Sequence, residues 1–398
     1  MSEETVPVVS QCLCKAHTFT TSVKKSALPL KLSACHCDSC RHMTGGLYLP
    51  EIAWPNHAED FSSLQPYYFS ETLIAYSCKT CGTHMFSKRT TPGAIPDVMS
   101  GTLNNPPDLL EYDRHIFVEE TLDGGATPWL SKSHRDGRTL KCWKKWNPAE
   151  GRPGEELDAS WLRTRNLPAP LERVAPGTTP FHCHCGGVNL LLRSAADLTT
   201  PDEELPFYID PETRKYLVTS CSCEYCRRPF GVDVVSWTYA QLDHIEFPTA
   251  SDAPSKSGAF PSTISALRNA VSAPSETRDP RLGTLELHKS SAEVDRYHCS
   301  RCSASVFYAV CDRPETIEIA VGLLSHPSGA RAEGLLRWDY AQGVCQDSDK
   351  GGWREGFTRQ VKKERDEWRV QRGYPEVWER LRQERRKIRV LVIGDKET

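Results

Sequence analysis

The 398-residue chain has no run of about eighteen apolar residues, the length a membrane-spanning helix requires, so no such helix is expected. Its first residues, Met1-Ser2-Glu3-Glu4-Thr5-Val6-Pro7, are acidic and lack the apolar stretch of a signal peptide. A cytoplasmic location is the expectation, with the nucleus left open. An excess of one charge is missing too: 49 basic against 52 acidic side chains leave a net charge of −3. That balance argues against a surface that coats nucleic acid. The thirteen histidines form no H-E-x-x-H or other zinc-binding spacing. With 38% hydrophobic and 25% charged residues, the composition is that of a soluble globular protein, and the length suffices for two or three domains.

Cysteine, by contrast, is abundant. Seventeen cysteines are many for a reducing compartment, where closely spaced pairs bind metal more readily than they form disulfides. Fourteen of them fall into two sets of seven with the same inner spacing. The first set is Cys12-x-Cys14, Cys35-x-Cys37-x-x-Cys40 and Cys78-x-x-Cys81; the second is Cys183-x-Cys185, Cys221-x-Cys223-x-x-Cys226 and Cys299-x-x-Cys302. The three blocks are displaced by 171, 186 and 221 positions, so the second copy carries extra residues before its triplet and more before its last pair. Other residues keep the register: Arg41 with Arg227, Gly45 with Gly231, Tyr76 with Tyr297, Phe86 with Phe307, and Gly101-x-Leu103-x-x-Pro106 with Gly322-x-Leu324-x-x-Pro327.

This repeat organises the chain into residues 8–146, a proline-rich linker at 147–177, a second copy at 178–353 and a charged tail at 354–398. The Pro-, Ser- and Ala-rich segment 248–283 reads as a surface loop inserted in the second copy. Short stretches such as Leu73–Ser77, Ser305–Val310 and Thr316–Val321 read as strands. Trp353, Phe357, Val361 and Trp368 form a helical stripe, and a second helical stretch is expected from Pro375 through Val377, Trp378 and Leu381. The expected fold is therefore mainly β, two tandem domains with a helical C-terminal tail.

Zinc takes four thiolates in a closed tetrahedron. Cys12, Cys14, Cys78 and Cys81 suit such a structural site, as do Cys183, Cys185, Cys299 and Cys302. The triplets Cys35, Cys37, Cys40 and Cys221, Cys223, Cys226 offer three sulfurs with no obvious fourth. A three-ligand zinc with an open position is the usual catalytic form. The alternatives are closure by His36, Asp38 or a distant side chain, or metal-free thiols. Arg41 and Arg227, next to the triplets, suit a cation that lowers a thiol pKa or attracts an anionic substrate; a surface salt bridge is the alternative. Gly45-Gly46 and Gly231 read as tight turns beside the metal. Cys142, Cys311 and Cys345 read as buried apolar side chains, and no acid–base residue stands out.

These motifs resemble the glutathione-dependent formaldehyde-activating enzyme family, also known as the centromere-protein-V domain. The resemblance rests on Cys35-His36-Cys37-Asp38-Ser39-Cys40-Arg41, Thr44-Gly45-Gly46, Cys78-Lys79-Thr80-Cys81-Gly82 and Gly101-Thr102-Leu103-Asn104-Asn105-Pro106, with His115-Ile116-Phe117-Val118 and Trp129 beyond. It implies a β-tent fold with a structural four-cysteine zinc and a second zinc on the triplet, hence up to four Zn2+ per chain. It also implies carbon–sulfur lyase chemistry on a small-molecule substrate, with glutathione as the co-substrate. Lys15-Ala16 stands where the family has Gly after C-x-C; in the second copy Ser303 replaces Gly, and Gly322-Leu323-Leu324 replaces G-T-L. The first copy is the closer match, with Cys35, Cys37, Cys40 and Arg41 as its catalytic candidates. The competing reading is a non-enzymatic scaffold whose tail binds a polyanion, since residues 359–390 hold twelve Lys or Arg against six Asp or Glu. A solvated helical face that packs its Trp stripe on the domains is the blander account of that tail. The composition leaves the oligomeric state open.

Overall fold

The computed structural model describes residues 3–145, 154–158, 161, 165–248, 259–341, 343–344 and 346–376. Among them the chain is mainly β, with four sheets and four α-helices. In the first half, strands β1 (Thr5–Gln11) and β2 (Thr18–Lys24) form a hairpin. Strand β3 (Leu30–Cys35) runs into helix α1 (Asp38–Thr44), followed by β4 (Leu49–Ala53), β5 (Gln65–Ser70), β6 (Leu73–Ser77), β7 (His84–Arg89), β8 (Asp97–Met99), β9 (Leu110–Ile116) and β10 (Lys141–Cys142). These build one sheet in the order β10-β9-β3-β4-β8-β7-β6-β5.

The second half repeats the plan. A hairpin of β11 (Thr178–His182) and β12 (Asn189–Arg193) is extended by β15 (Ile245–Glu246). Strand β13 (Tyr216–Cys221) runs into α2 (Glu224–Phe230), then β14 (Val235–Gln241), α3 (Ile264–Ser272), β16 (Leu285–Lys289), β17 (Val294–Cys299), β18 (Ser305–Val310), β19 (Thr316–Ala320) and β20 (Leu336–Trp338). The sheet order β20-β13-β14-β19-β18-β17-β16 matches β9-β3-β4-β8-β7-β6-β5 strand for strand. The parallel pairs β3–β9 and β13–β20 also correspond. So do the bridges from each hairpin to the Gly-x-Leu segment, Ser10 to Leu103 and Phe181 to Leu324.

The halves meet through reciprocal contacts of the residues that keep the repeat in register. Gly45 caps α1 and Gly231 caps α2, both with left-handed backbone, which a glycine adopts without a Cβ clash. The Gly322 N–H donates to the Gly45 carbonyl at 2.9 Å, and the Gly101 N–H donates to the Gly231 carbonyl at 3.0 Å. Arg41 donates to the Gly322 carbonyl at 3.4 Å and Arg227 to the Gly101 carbonyl. One buried cluster, including Val8, Phe86, Phe181, Trp237 and Phe307, runs through both halves.

Helix α4 (Trp353–Arg372) lies across that junction. Its expected stripe of Trp353, Phe357, Val361 and Trp368 is buried, and Phe357 stacks on Tyr112 of the first half at 4.7 Å. Arg354 is fully buried and reaches Asp233 at 3.2 Å and the Ser100 carbonyl at 2.6 Å; Arg365 is buried against Ser220 and the Asp339 carbonyl. Two cations of the basic tail are thus structural, as the packing account of this helix expects, while Arg359, Lys362 and Lys363 stay exposed. The helical stretch expected from Pro375 through Leu381 lies outside the described residues from Val377 on.

Two further expectations are corrected. The segment 248–283 is not simply a surface loop: α3 packs there with Ile264, Leu267 and Val271 buried. Thr263 caps it by accepting from the Ala266 N–H, and the apolar stripe was masked by its Pro- and Ser-rich flanks. The stretch 147–177 does more than link, since Leu157 and Val174 are buried. No described helix is long and apolar enough to cross a membrane.

Candidate metal centres and their surroundings

Four groups of cysteine sulfurs converge, each with all its Sγ atoms within 4.8 Å of one another: Cys12, Cys14, Cys78, Cys81; Cys183, Cys185, Cys299, Cys302; Cys35, Cys37, Cys40; and Cys221, Cys223, Cys226. In the two larger groups the hairpin turn β1–β2 or β11–β12 meets the turn β6–β7 or β17–β18. Measured separations are 3.6 Å for Cys12–Cys14, 3.7 Å for Cys14–Cys78, and 3.5 Å for both Cys183–Cys185 and Cys185–Cys299. A disulfide would place sulfurs about 2.05 Å apart. Four thiolates at about 2.3 Å from zinc sit about 3.8 Å from each other. The donor sets therefore fit a tetrahedral soft metal, zinc by preference. Backbone N–H groups complete the fit: His17 donates to Cys12, Val188 to Cys183, Gly187 to Cys185, and Arg301 and Cys302 to Cys299, all between 3.2 and 3.4 Å. Such donors stabilise thiolate charge.

The turns explain the sequence departures. Gly186 and Gly82 have positive φ, and so do their counterparts Lys15 (φ 64) and Ser303 (φ 60). The knuckle keeps its left-handed backbone even where a side chain must bear it, at about 1 kcal/mol. Ser303→Gly is accordingly expected to raise the urea midpoint by an amount equivalent to about 1 kcal/mol, with metal content unchanged.

In each triplet the first cysteine ends a strand, the second caps the helix and the third lies in its first turn. Cys37 accepts the Cys40 N–H at 3.3 Å and sits 3.5 Å from Cys35. Among the described residues no fourth His, Cys, Asp or Glu joins either triplet. His36 instead faces His115 at 3.0 Å; burial first, then the proximity of His115 and Arg41, pushes it well below the ordinary imidazole range. Asp38 pairs with Arg41. Cys37 is pulled down to about 3 by the Cys35 and Cys40 thiols, with smaller help from the Cys40 N–H and Arg41. Arg41 thus makes the salt bridge offered as an alternative, with the exposed Asp38, but its own side chain is 4% exposed and wedged between the halves, close enough for its charge to favour the Cys37 thiolate. Arg227 is buried likewise. Cys142 and Cys311 belong to no cluster and are half-buried rather than buried; Cys345 lies outside the described residues.

The first triplet lies among Met43, Leu49, Ala75 and Met99, with Tyr67, Phe69, Ile116 and Phe117 beside them. The second half contributes His184, which stacks on Phe69 at 4.5 Å and shares a hydrogen bond with the Tyr67 hydroxyl at 2.6 Å. Two carboxylates missed by sequence reasoning share this sheet face. Ser33, two residues before Cys35 on β3, opposes Glu51; Glu51 opposes Met99; and Asp97, two residues before Met99, opposes Ser87. Ser87 donates to Glu51 at 3.4 Å. Burial, then the charge of Asp97, pushes Glu51 up to about 8. Burial pushes Asp97 up to about 6 against the pull of Arg89. Two acids interrupting short strands were the available signal, but their placement beside Cys35 needs the register of four strands.

The second triplet opens into a cavity of about 670 Å³. Gly322 keeps its contact with Gly45 although Leu323 replaces Thr, so that departure leaves the junction intact.

Fold and sites together define a mainly β protein with four cysteine clusters suited to metal, two in each half. Residues 7–120, which hold all seven cysteines of the first set, match the family model described as Glutathione-dependent formaldehyde-activating enzyme. Neither a curated protein nor a solved structure matches the chain.

Proposed function

We propose that the first half is a zinc-dependent carbon–sulfur lyase-type centre that joins a thiol to a small carbonyl compound and reverses that reaction, with glutathione as the thiol indicated by the family description. The observation that carries this reading is the triplet of Cys35, Cys37 and Cys40, without a fourth ligand among the described residues, on the same sheet face as Glu51 and Asp97. Zinc held by the three sulfurs would supply Lewis acidity and stabilise thiolate in its open position.

The residues around it supply the proton chemistry. Two carboxyl groups driven to different pKa values divide the acid and base roles. Near pH 7 Asp97 is ionised and accepts the thiol proton, while Glu51 is protonated and donates to the carbonyl oxygen as the C–S bond forms. The product is a hemithioacetal; in reverse, Glu51 takes the hydroxyl proton and Asp97 returns one to the departing sulfur. Tyr67, Phe69 and Met99 shield the reacting atoms from water, and Arg41 supports the thiolate from beneath.

The expected pH profile follows from these values. Activity falls below about 6 as Asp97 gains a proton and above about 8 as Glu51 loses one; the charged groups facing them are each other, Arg89 and Cys37. Glu51→Gln keeps a hydrogen-bond donor but transfers no proton. We expect turnover of glutathione with formaldehyde to drop by about 10²-fold or more and the alkaline limb to disappear. Wild-type turnover in both Glu51→Gln and Cys37→Ser would remove this reading and leave a scaffold.

A further inference from the structure

The cavity over Cys221, Cys223 and Cys226 keeps one carboxylate of its counterpart and replaces the other, together with two of their neighbours. Offsets of 186 and 221 put Trp237 where the first half has Glu51, Tyr308 where it has Ser87, Glu318 where it has Asp97 and Arg296 where it has Ala75. The strand register confirms one shared face, with Arg296 opposite Tyr308, Tyr308 opposite Glu318 and Trp237 opposite Ala320. One acid of the face is lost to Trp237, one is kept as Glu318, and a cation, Arg296, and the Tyr308 ring are added.

Arg296 is the decisive change. It lines the cavity yet is only 8% exposed. Its guanidinium lies over the Tyr308 ring at 4.8 Å, and its Nε donates to Ser290 at 3.3 Å. Its terminal nitrogens have no hydrogen-bond partner among the described residues, and it forms no salt bridge there. Glu318 lines the same cavity and pairs with Arg313 at 2.8 Å; Arg296 acts on it as a nearby charge without a direct bond. A second donor waits nearby: Trp237 lines the same cavity, is 3% exposed, and its buried indole N–H has no partner among the described residues. Burying a guanidinium and an N–H without acceptors is costly, and a carboxylate answers a guanidinium fork with two parallel bonds. The Tyr239, Tyr308 and Trp237 rings give flat walls.

We propose that this second cavity is a binding site for a small carboxylate with a flat apolar body, the carboxylate on Arg296 and the body between the aromatic walls, facing the triplet. The two halves of one chain then take chemically different ligands. This inference is independent of the lyase reading, because no residue of the first triplet takes part.

The test is calorimetric titration of the full chain carrying Cys37→Ser, so that failure of the first centre cannot mask the result. Phenylacetate is the probe and phenethylamine the control of opposite charge. Phenylacetate is expected to bind and phenethylamine not to. Arg296→Ala should weaken phenylacetate at least tenfold at unchanged zinc content. Should the alanine variant lose metal, Arg296→Lys retains the charge without the fork and should weaken binding about fivefold. Equal binding of the two probes, or undiminished phenylacetate binding in a folded Arg296 variant, overturns the proposal.

Discussion

Cys299→Ser will lose one metal and with it the cooperative fold of the second half, whereas Cys37→Ser and Cys223→Ser will each lose a metal and keep the fold. The contrast follows from what the two kinds of cluster join. Cys183 and Cys185 sit in the β11–β12 turn, while Cys299 and Cys302 sit in the β17–β18 turn. A metal on these four sulfurs would tie a peripheral hairpin to the main sheet. Structural zinc in small domains supplies on the order of 10 kcal/mol, comparable with the whole stability of a domain. Removing a ligand also leaves buried sulfurs at about van der Waals contact, 3.5 Å for Cys183–Cys185, with no cation between them. The triplets, in contrast, draw all three sulfurs from one strand–helix turn, so a metal there would tie together residues that are already neighbours. Metal analysis with thermal unfolding by circular dichroism checks this. We expect a broad, early transition for Cys299→Ser and for Cys81→Ser, and near wild-type melting for the triplet variants. A sharp wild-type transition in Cys299→Ser would show that the fold closes without its clamp.

The cysteine groups were legible in the sequence because ligand spacing is local: a knuckle or strand–helix turn is written in three to six consecutive residues. The helical stripe of α4 was legible for the same reason, a period of 3.6 with four large apolar residues. The short strands were legible from their β-branched and aromatic content. What could not be read lies in contacts between distant residues. Glu51 and Asp97 become a pair only once β4, β8 and β7 are in register. Arg41 reads as a cation beside thiols, and its burial appears only when Gly322 is placed against it. Nothing in the Cys183-x-Cys185 spacing marks His184, which stacks on Phe69 across the junction. The cationic character of the second cavity was hidden likewise, since Arg296 is an ordinary strand residue until Tyr308 and Glu318 flank it.

Gly322→Ala is expected to destabilise the chain by about 3 kcal/mol, and Gly101→Ala by a similar amount, although neither residue touches a metal. A Cβ on Gly322 would lie 2.0 Å from the Gly46 carbonyl oxygen, and one on Gly101 would lie 2.3 Å from the Val232 nitrogen. Both obstacles are backbone, so no side-chain rotation relieves them, and overpacking of this kind costs about 1–3 kcal/mol. Each clash also breaks a reciprocal pair of bonds, Gly322 to Gly45 and Gly101 to Gly231. The two glycines serve one junction, so the double variant should fall short of the sum. The functional consequence separates this from a general loss of stability. Parting the halves withdraws His184 from Tyr67 and Phe69, so turnover at the first triplet should fall well below wild type at a temperature where the variant remains folded and retains its zinc. Urea denaturation gives the first quantity and turnover per bound zinc the second. If stability drops while turnover per zinc is unchanged, the junction holds the halves together but does not shape the first site. If both drop, the second half is a working wall of the first centre, which gives the tandem arrangement a catalytic as well as a structural reason.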